Sequence, residues 1–424
     1  MKTFSNSKYW FSSGYLFLFF ITWSIWWSFY AIWLNNTLGL TGSQVGTIYS
    51  FNSAAALTFM LLYGIIQDKL GIKKNLVWFQ SIILVFIGPF LIYVYEPLLL
   101  NNFYLGAILG AIYLGAGFVA GAGFLESYTE KISREYNFEF GKARMWGSLG
   151  YAVAAFGAGT LLSINPHINF WLASVAGVAF FILNFIFKVD ASVTEEKNSS
   201  KISKKDFMLI FSNKVFWFLL IYLFGTVCIY TVYDQQLFPV YFVQQFADQA
   251  TGNQIYGYLN SFQVFVEALF LFLAPFIVNK LGVKRSLIFA GSIMAIRIVG
   301  SAFVTSTFGI SFVKLLHAVE LPILLIAVFK YIAINFDSRL SATVYLVGFK
   351  ISSELGVIVF SALVGYIYDL TTYETTFYIL GSIVFIFVIM AVFTLSKDDK
   401  TSTEKINKTL NCNIKCNTLC ETTI

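Results

Sequence analysis

The sequence predicts an all-α integral membrane protein with twelve transmembrane helices arranged in two pseudo-symmetric six-helix bundles. Of its 424 residues, 58% are hydrophobic and only 12% are charged, and the mean hydropathy is +0.74. A soluble domain would carry about 25% charged residues. A membrane-spanning helix needs about 20 consecutive apolar residues. The chain contains twelve runs of roughly that length, in two sets of six.

Each set of runs is predicted to form one bundle, residues 1–187 and residues 215–396. The first run follows only two lysines and has no small-residue cleavage site, so it is predicted to be a retained helix and not a signal peptide. The first six runs cover approximately residues 11–34, 44–66, 75–95, 103–126, 143–163 and 169–187. The second six cover approximately residues 215–238, 254–277, 286–305, 310–333, 340–366 and 375–396.

Two polar segments lie outside the bundles. Residues 188–214 are rich in Ser, Lys and Glu and have too little apolar surface to fold, so we predict a cytoplasmic linker. Residues 397–424 are predicted to be a cytoplasmic tail. Its cysteines Cys412, Cys416 and Cys420 have no histidine nearby, which makes a metal clip the weaker alternative to an unstructured tail. No metal site is therefore predicted.

The positions of the cations predict the orientation in the membrane. Of the 28 Lys and Arg residues, 23 fall at the N-terminus, in loops after even-numbered runs, or in the tail, and loops after odd-numbered runs carry none. Short loops rich in Lys and Arg stay cytoplasmic, so both termini are predicted to lie inside. The net charge of +6 then reflects orientation and attraction to lipid, and gives no support to a nucleic-acid partner.

An internal repeat supports the division into two halves. Residues 64–74 and residues 275–285 share a pattern of helix end, glycine and cationic cluster, at an offset of 211 residues. Such a loop suits a role in holding neighbouring helices together during a conformational change, although a purely topological anchor is the alternative. The candidate residues of this conformational loop are Gly64, Asp68, Gly71 and Lys74.

The candidate functional residues are the ionisable side chains inside the runs. A charge at the bilayer centre costs about 2.5–3.5 kcal/mol, so a set of them predicts a polar, water-accessible interior. The near balance of signs suggests that they pair. These residues are Arg144, Arg297, Lys314, Lys330, Lys350, Glu126, Asp234, Glu267, Glu320, Glu354 and His317.

The tenth run carries the most informative cluster. Lys314, His317 and Glu320 are spaced three apart and share one broad helix face. A carboxyl group among apolar residues can hold a proton, and an imidazole can hydrogen-bond to it or to a substrate. This combination suits a proton-coupled carrier. A satisfied buried network without transport function is the alternative.

A second candidate site lies between the fourth and fifth runs. Glu126, Arg144 and Tyr151 combine a carboxylate, a planar guanidinium and an aromatic ring, which suits an array of hydroxyl groups. Trp23, in an aromatic cluster of the first run, is a further candidate because flat rings stack on the C–H face of a pyranose. The alternatives are that Glu126 and Arg144 extend to the membrane interface and that tryptophans form an interfacial belt.

Residues 9 to about 396 resemble the bacterial oligosaccharide:proton symporter family of the major facilitator superfamily. The resemblance implies one central sugar cavity, opened alternately to each side of the bacterial cytoplasmic membrane by a functional monomer. It also implies a proton as coupling ion, with no cofactor and no enzymatic activity. The matching segments are Ala31–Leu34, Asp68–Gly71, Phe138–Arg144, Asp234–Gln236, Arg297 and residues 314–320.

The resemblance also implies roles for the residues that bind sugar. Glu126 and Arg144 match the pair that binds the sugar hydroxyls, and Tyr151 stands where lactose-transporting members have the stacking tryptophan. On the eighth run, Val264 replaces the family's carboxylate. Glu267, one turn later, is expected to take over that function, with Gln263 as a further candidate contact.

The proton-coupling roles follow from the same resemblance. Glu320 matches the proton carrier, Arg297 the residue that helps it to release the proton, and His317 the imidazole that links the sugar and proton sites. Lys314 and Asp234 match a charged pair beside them.

Departures from the lactose-transporting members indicate the substrate. Two positions that carry a charged pair there hold Thr231 and Ser353 here, so no single charge is left unpaired. Together with Glu267, this favours sucrose, with lactose, raffinose or melibiose as alternatives. A uniporter or a non-transporting sugar sensor is less favoured. An enzyme is disfavoured because the chain has two histidines and neither an HExxH nor a GxSxG motif.

Overall fold

The computed structural model of the protein describes residues 6–189, 210–336, 340 and 344–396, without the side chain of Asp68. Within these ranges the chain is helical and forms no strand, which confirms the all-α prediction. Most of the predicted linker, the whole predicted tail and the beginning of the eleventh run lie outside the described residues.

All twelve predicted runs are helices in the part of the chain that the structure describes. The helices of the first half are α1 (Ser7–Thr37), α2 (Gly42–Leu70), α3 (Asn75–Val85 and Ile87–Asn101), α4 (Phe103–Glu135), α5 (Phe140–Ile164) and α6 (Pro166–Ile186). Those of the second half are α7 (Lys214–Gln244), α8 (Gln249–Leu281), α9 (Val283–Phe303), α10 (Thr307–Asn335), α11 (Leu346–Leu370) and α12 (Tyr373–Thr394).

Helix α3 bends by 54° between its two segments. Pro89 lies just after the bend, where its ring and missing N–H group interrupt the helical hydrogen bonds. The N–H group of Gly88 donates instead to Ser174 Oγ, at 2.8 Å. The bend is tolerated because a neighbouring helix satisfies the exposed backbone.

Helix α4 continues beyond the end of its apolar run. Its last turns bury Tyr128, Thr129 and Ile132 on one face, which holds the charged segment helical up to Glu135. Glu126 therefore lies inside a helix and not at its end. Arg144 likewise lies one turn inside α5.

The two repeat loops have equivalent structures. Gly71 and Gly282 follow α2 and α8 with φ angles of 59° and 87°, where a side chain is strained. Two or three residues after each glycine, a lysine donates hydrogen bonds to the backbone carbonyls that end another helix in the same half. Lys74 Nζ donates to the carbonyls of Asn184 and Phe187, the latter at 2.6 Å, and Lys284 Nζ to that of Leu395 at 2.6 Å.

The environment of Lys74 is partly buried at this end of the molecule. Burial, with a smaller contribution from the neighbouring Lys8, lowers the pKa of Lys74 to about 8. Its ammonium group is thus close to a second cation and to the carbonyls that end α6. In each half, this contact of a lysine with a helix end joins three helices at the end of the molecule that carries the basic loops.

The two halves approach most closely at the opposite end. There α2 crosses α11 and α5 crosses α8. A Cβ atom at Gly46 would overlap the backbone of Ser361, and one at Gly159 the backbone of Asn253. The absence of side chains at these glycines therefore allows the helices of the two halves to touch.

A carboxylate also joins the halves at this end. Asp369, in the last turn of α11, accepts hydrogen bonds from the backbone N–H groups of Gly42 and Ser43, each at 2.7 Å. These groups open α2, so a side chain of the second half caps a helix of the first. Among the described residues, hydrogen bonds between the halves lie from the membrane middle to this end.

Candidate functional site

A polar cavity of about 270 Å³ lies between the two halves, near the middle of the helices. It is lined by aromatic, hydroxyl, amide and charged side chains from both halves. The first half contributes Phe20, Trp27, Ser28, Tyr49, Arg144, Ser148 and Tyr151. The second half contributes Asp234, Gln235, Pro239, Tyr256, Asn260, Gln263, Val264, Glu267, Lys314 and His317.

The residues of the first half form one wall of the cavity, here called the first wall, and those of the second half form the second wall. Arg144 and Glu126 form an ion pair on the first wall. Arg144 Nε lies 2.5 Å from Glu126 Oε1, and each side chain is 33% exposed. Arg144 also donates to Ser148 Oγ at 3.4 Å and lies over the ring of Phe20, 4.4 Å from its centroid. Arg144 lines the cavity and Glu126 does not. The two side chains thus pair with each other and do not extend separately to the membrane interface.

Tyr151 lies two turns further along α5 and also lines the cavity. Its hydroxyl accepts a hydrogen bond from Ser28 Oγ at 3.1 Å, and its backbone carbonyl accepts one from Ser24 Oγ at 2.8 Å. Both serines belong to α1. The position of the ring beside Arg144 is therefore fixed by a neighbouring helix.

Trp23 does not line the cavity, contrary to expectation. Its ring packs among Phe19, Phe20 and Trp27, with centroid distances of 5.8–6.1 Å. Trp27, one turn later on α1, faces the cavity instead. The number of aromatic residues along α1 predicts that a ring can reach the cavity, but it does not predict which turn of the helix faces the other half.

The second wall carries the carboxylate that was expected from α8. Glu267 lines the cavity and interacts electrostatically with Arg144 on α5. Gln263 lines it one turn earlier, and Val264 contributes only apolar surface. Arg144 thus has one carboxylate as its ion-pair partner in its own half and another across the cavity.

Glu320 is fully buried at the centre of a polar cluster beside the cavity. Its Oε1 atom accepts a hydrogen bond from the hydroxyl of Tyr230, lies 3.0 Å from His317 Nδ1 and accepts from Arg297 Nη1 at 3.4 Å. Its Oε2 atom has no hydrogen-bond partner among the described residues. His317 lines the cavity and Glu320 does not. The imidazole therefore stands between the cavity and the buried carboxyl group.

Arg297 connects this cluster to Asp234. Arg297 is fully buried; its Nη2 lies 2.6 Å from Asp234 Oδ1, and its Nε donates to the carbonyl of Val313 at 3.0 Å. A wide π-helical turn, Tyr233–Leu237, carries Asp234. Such turns shift the register of the helix and are frequent at functional sites.

The expected pairing of Asp234 with Lys314 is present only as a longer-range electrostatic interaction, and the ion pair within 4 Å is made with Arg297. Asp234 pairs with Arg297, and Lys314 Nζ instead donates to Asn260 Oδ1 and Gln263 Oε1 on α8, each at 3.1 Å. The two amides supply oxygen acceptors next to Lys314, so its ammonium group is satisfied without a carboxylate within 4 Å. Spacing within one helix could not reveal this contact between helices.

The central residue that sequence reasoning missed is Tyr230. Its hydroxyl contacts Arg297 and Glu320 and lies 2.7 Å from His317 Nδ1. The available signal was its position one turn before Asp234 on α7, which puts both on the same side. One tyrosine of the 24 in the chain carries no such information by its residue type alone.

The architecture defines a class by its fold, the major facilitator fold, with two six-helix halves around a central polar cavity. The crystal structure of the nucleoside transporter NupG matches it with a TM-score of 0.78 at 16% identity, covering 93% of this chain and 100% of that one. A D-xylose-proton symporter matches with a TM-score of 0.64 at 14% identity, covering 93% and 97%. At these identities the likeness concerns the fold alone.

Sequence similarity identifies the family within this fold. The model of the LacY proton/sugar symporter family matches residues 1–407. Sucrose permease of Escherichia coli is 49% identical over 93% of this chain and 95% of the relative. Raffinose permease of Escherichia coli is 39% identical (93% and 94%), and melibiose permease of Enterobacter cloacae 37% (92% and 93%).

The chain belongs to the LacY proton/sugar symporter family. It is a proton-coupled oligosaccharide symporter, a secondary transporter and not an enzyme.

Proposed function

We propose that this symporter imports sucrose with a proton across the cytoplasmic membrane of a bacterium. One observation carries the proposal: a single cavity joins Arg144, paired with Glu126, to His317, which contacts the buried Glu320. The identity of the sugar is supported by the 49% identity to a sucrose permease and by the position of Glu267.

The sugar side of the cavity is assigned to the first wall. Arg144 and Glu126 bind hydroxyl groups, which can donate to the carboxylate and accept from the guanidinium. The ring of Tyr151 stacks on the C–H face of one pyranose. Glu267 approaches the same sugar from the second half when the halves close around it.

The proton side is assigned to the buried cluster. Glu320 carries the proton on its carboxyl group, and His317 transmits the presence of sugar to it through their 3.0 Å contact. Release of the proton is favoured when the guanidinium of Arg297 moves closer than its present 3.4 Å. Asp234 holds Arg297 in place through their ion pair.

Alternating access supplies the coupling. With the basic loops in the cytoplasm, the end closed by α2, α11, α5 and α8 faces outward, so the described conformation is inward-facing. Sugar binds from outside when Glu320 is protonated, and the halves then rock around the site. Inside, sugar leaves before the proton is released with the help of Arg297. The difference in affinity between the two states couples the two movements.

The remaining features complete this assignment. Both termini lie in the cytoplasm, the surface helices contact membrane lipid, and the functional unit is a monomer. The loop around Gly71 and Lys74 keeps α2, α3 and α6 moving as one body. No cofactor is needed, because the proton is the coupling ion.

The test is the pH outside lightly buffered, energy-depleted cells that express the protein, after separate additions of sucrose, lactose, maltose and raffinose. We expect alkalinisation with sucrose alone. A larger signal with lactose or raffinose would keep the class and overturn the choice of sugar. No signal, with labelled sucrose still equilibrating, would leave a uniporter and remove Glu320 from proton coupling.

A further inference from the structure

Lys314 has an unusual set of partners for a buried cation. Its side chain is almost fully buried, and Nζ donates to Asn260 Oδ1 and Gln263 Oε1, both at 3.1 Å. It also lies 4.4 Å from the centroid of the Tyr256 ring. Tyr256, Asn260 and Gln263 follow one another at helical spacing, so they form one face of α8. That face lines the cavity.

The ammonium group fixes which way these amides point. An ammonium group donates hydrogen bonds and cannot accept them, whereas a carboxamide has an acceptor oxygen and a donor NH₂ group. Both amide oxygens must therefore face Lys314. The NH₂ groups of Asn260 and Gln263 are then directed away from it, on side chains that line the cavity.

These donors differ chemically from the groups around them. Asn260 also interacts with the hydroxyl of Tyr151, so the donors begin next to the aromatic ring of the first wall. Glu267, one turn beyond Gln263, offers only an acceptor when ionised. The cavity thus presents a donor region between Tyr151 and Glu267, on the opposite wall from Arg144.

We propose that Lys314 orients Asn260 and Gln263 as a pair of hydrogen-bond donors that recognises acceptor oxygens of the disaccharide. Asn260 and Gln263 determine specificity by direct contact, and Lys314 is a positioning residue. The inference rests on the proposed function, because it deepens the description of the same cavity.

The pair can be inverted without removing the partner of Lys314. Asn260→Asp and Gln263→Glu each keep an oxygen for the ammonium group and replace the NH₂ donor by an acceptor of similar size. We expect each variant to raise the KM for sucrose about tenfold, with Vmax and the amount of protein in the membrane within about twofold of wild type. Gln254→Glu is the matched control, since Gln254 lies on the same helix outside the cavity and donates to Tyr258.

Sucrose analogues test the direction of the hydrogen bonds. Fluorine can accept a weak hydrogen bond but cannot donate, so it is tolerated where the protein donates and rejected where the protein accepts. For at least one hydroxyl position, we expect wild type to bind the fluoro analogue within about threefold of sucrose and the deoxy analogue about tenfold more weakly. In Asn260→Asp and Gln263→Glu this difference disappears.

Lys314→Met separates positioning from packing. Methionine fills a similar volume, but the amides are no longer held with their oxygens on one side. We expect this variant to lose the difference between fluoro and deoxy analogues, which a purely structural role of Lys314 would leave unchanged.

The outcomes distinguish this inference from the proposed function. The binding measurements use the purified full chain in lipid nanodiscs. If wild type binds sucrose and both acceptor variants keep its affinity and its ranking of analogues, the donor pair is overturned and the proposed function stands. If wild type binds no disaccharide, both are overturned.

Discussion

At the scale of single residues, the hydroxyl of Tyr230 holds three ionisable groups together. It contacts the guanidinium of Arg297, the imidazole of His317 and the carboxyl group of Glu320. Its ring also stacks parallel to that of His317, with centroids 5.7 Å apart. A change at His317 therefore reaches Glu320 by two paths, one direct and one through this hydroxyl.

Tyr230→Phe is expected to uncouple sugar from protons. The variant keeps the ring and its stacking but removes the shared hydrogen-bonding group, so accumulation of sugar against a gradient should fall at least about tenfold. Exchange of sugar across the membrane, which needs no net proton movement, should remain within about threefold. Uptake driven by a pH gradient and equilibrium exchange in proteoliposomes measure the two.

The control for this variant is Tyr222→Phe in the same helix. The buried hydroxyl of Tyr222 donates to the carbonyl of Leu287 at 2.6 Å, away from the cluster. Its loss should cost about 1 kcal/mol of stability and leave the ratio of accumulation to exchange unchanged. Equal losses of accumulation and exchange in Tyr230→Phe would show that its role is structural.

The residues of the site were only partly predictable from the sequence. The spacing of Lys314, His317 and Glu320 predicted their common location, because one helix fixes it. Partners on different helices were harder to predict. The sequence predicts Lys314 as the partner of Asp234, whereas the structure has an ion pair with Arg297 and only a longer-range interaction with Lys314. Trp23 illustrates the same limit, since the turn of α1 that faces the cavity depends on how the two halves pack.

At the scale of helices and loops, the fold was predictable for a different reason. The hydrocarbon thickness sets the length of each span, so the twelve runs predicted the helices. The ends were less predictable, because α4 continues past its apolar run on an amphipathic face. The bend of α3 at Pro89 was also absent from the sequence reasoning, which treated that run as one span.

The repeat loops allow a test with an internal control. Gly71 has φ 59° and ψ −119°, and Gly282 has φ 87° and ψ 156°, both unfavourable for a side chain. Gly71→Ala and Gly282→Ala should each cost about 1–3 kcal/mol. Gly64→Ala, where a Cβ would meet no described atom within 4 Å, should be neutral or stabilise α2 by about 0.5–1 kcal/mol. Thermal unfolding in detergent measures all three, and equal effects would contradict the role of the loop conformation.

The residue that caps the N-terminus of α8 is expected to make the stability of the protein depend on pH. Asp248 Oδ2 accepts hydrogen bonds from the hydroxyl of Thr251 at 2.7 Å and its backbone N–H at 2.9 Å. Together with a bond from the N–H of Ala250, these hold the pKa of Asp248 below its usual value of about 3.9. The carboxylate therefore stabilises the folded state above about pH 4, and this contribution is lost as the pH falls through the lowered pKa.

Asp248→Asn keeps a helix-capping group but removes the titration. We expect wild type to unfold at a higher temperature than this variant at pH 6, because the charge favours the helix N-terminus. The difference should shrink towards pH 3. A difference that stays constant with pH would mean that the carboxylate contributes only as a neutral cap.

At the scale of the whole molecule, transport requires that the contacts between the halves can break. The glycines at the crossings of α2 with α11 and of α5 with α8 allow close packing without interlocked side chains. Such surfaces separate without rearranging a core. Under the proposed orientation they form the outer gate, so the stability of this end sets how often the cavity faces the outside.

Asp369 is the polar part of this gate. Its carboxylate caps α2 of the other half through two bonds of 2.7 Å, and it is exposed, so the pair of bonds is worth about 1 kcal/mol. Asp369→Ala should therefore raise the ratio of outward-open to inward-open molecules about fivefold. Glu374→Ala, at an exposed position at the same end of the molecule, is the matched control and should leave this ratio unchanged.

Spin labels at Tyr104 and Phe308, two exposed positions at this end, one in each half, report the separation. Pulsed electron paramagnetic resonance of the purified protein in nanodiscs should show a larger population at long distance in Asp369→Ala than in wild type. Because binding from outside needs the open gate, the KM for uptake should fall in parallel while release inside becomes slower. An unchanged distance distribution would mean that the glycine contacts alone hold the gate, and that the cap of Asp369 forms and breaks without affecting the equilibrium.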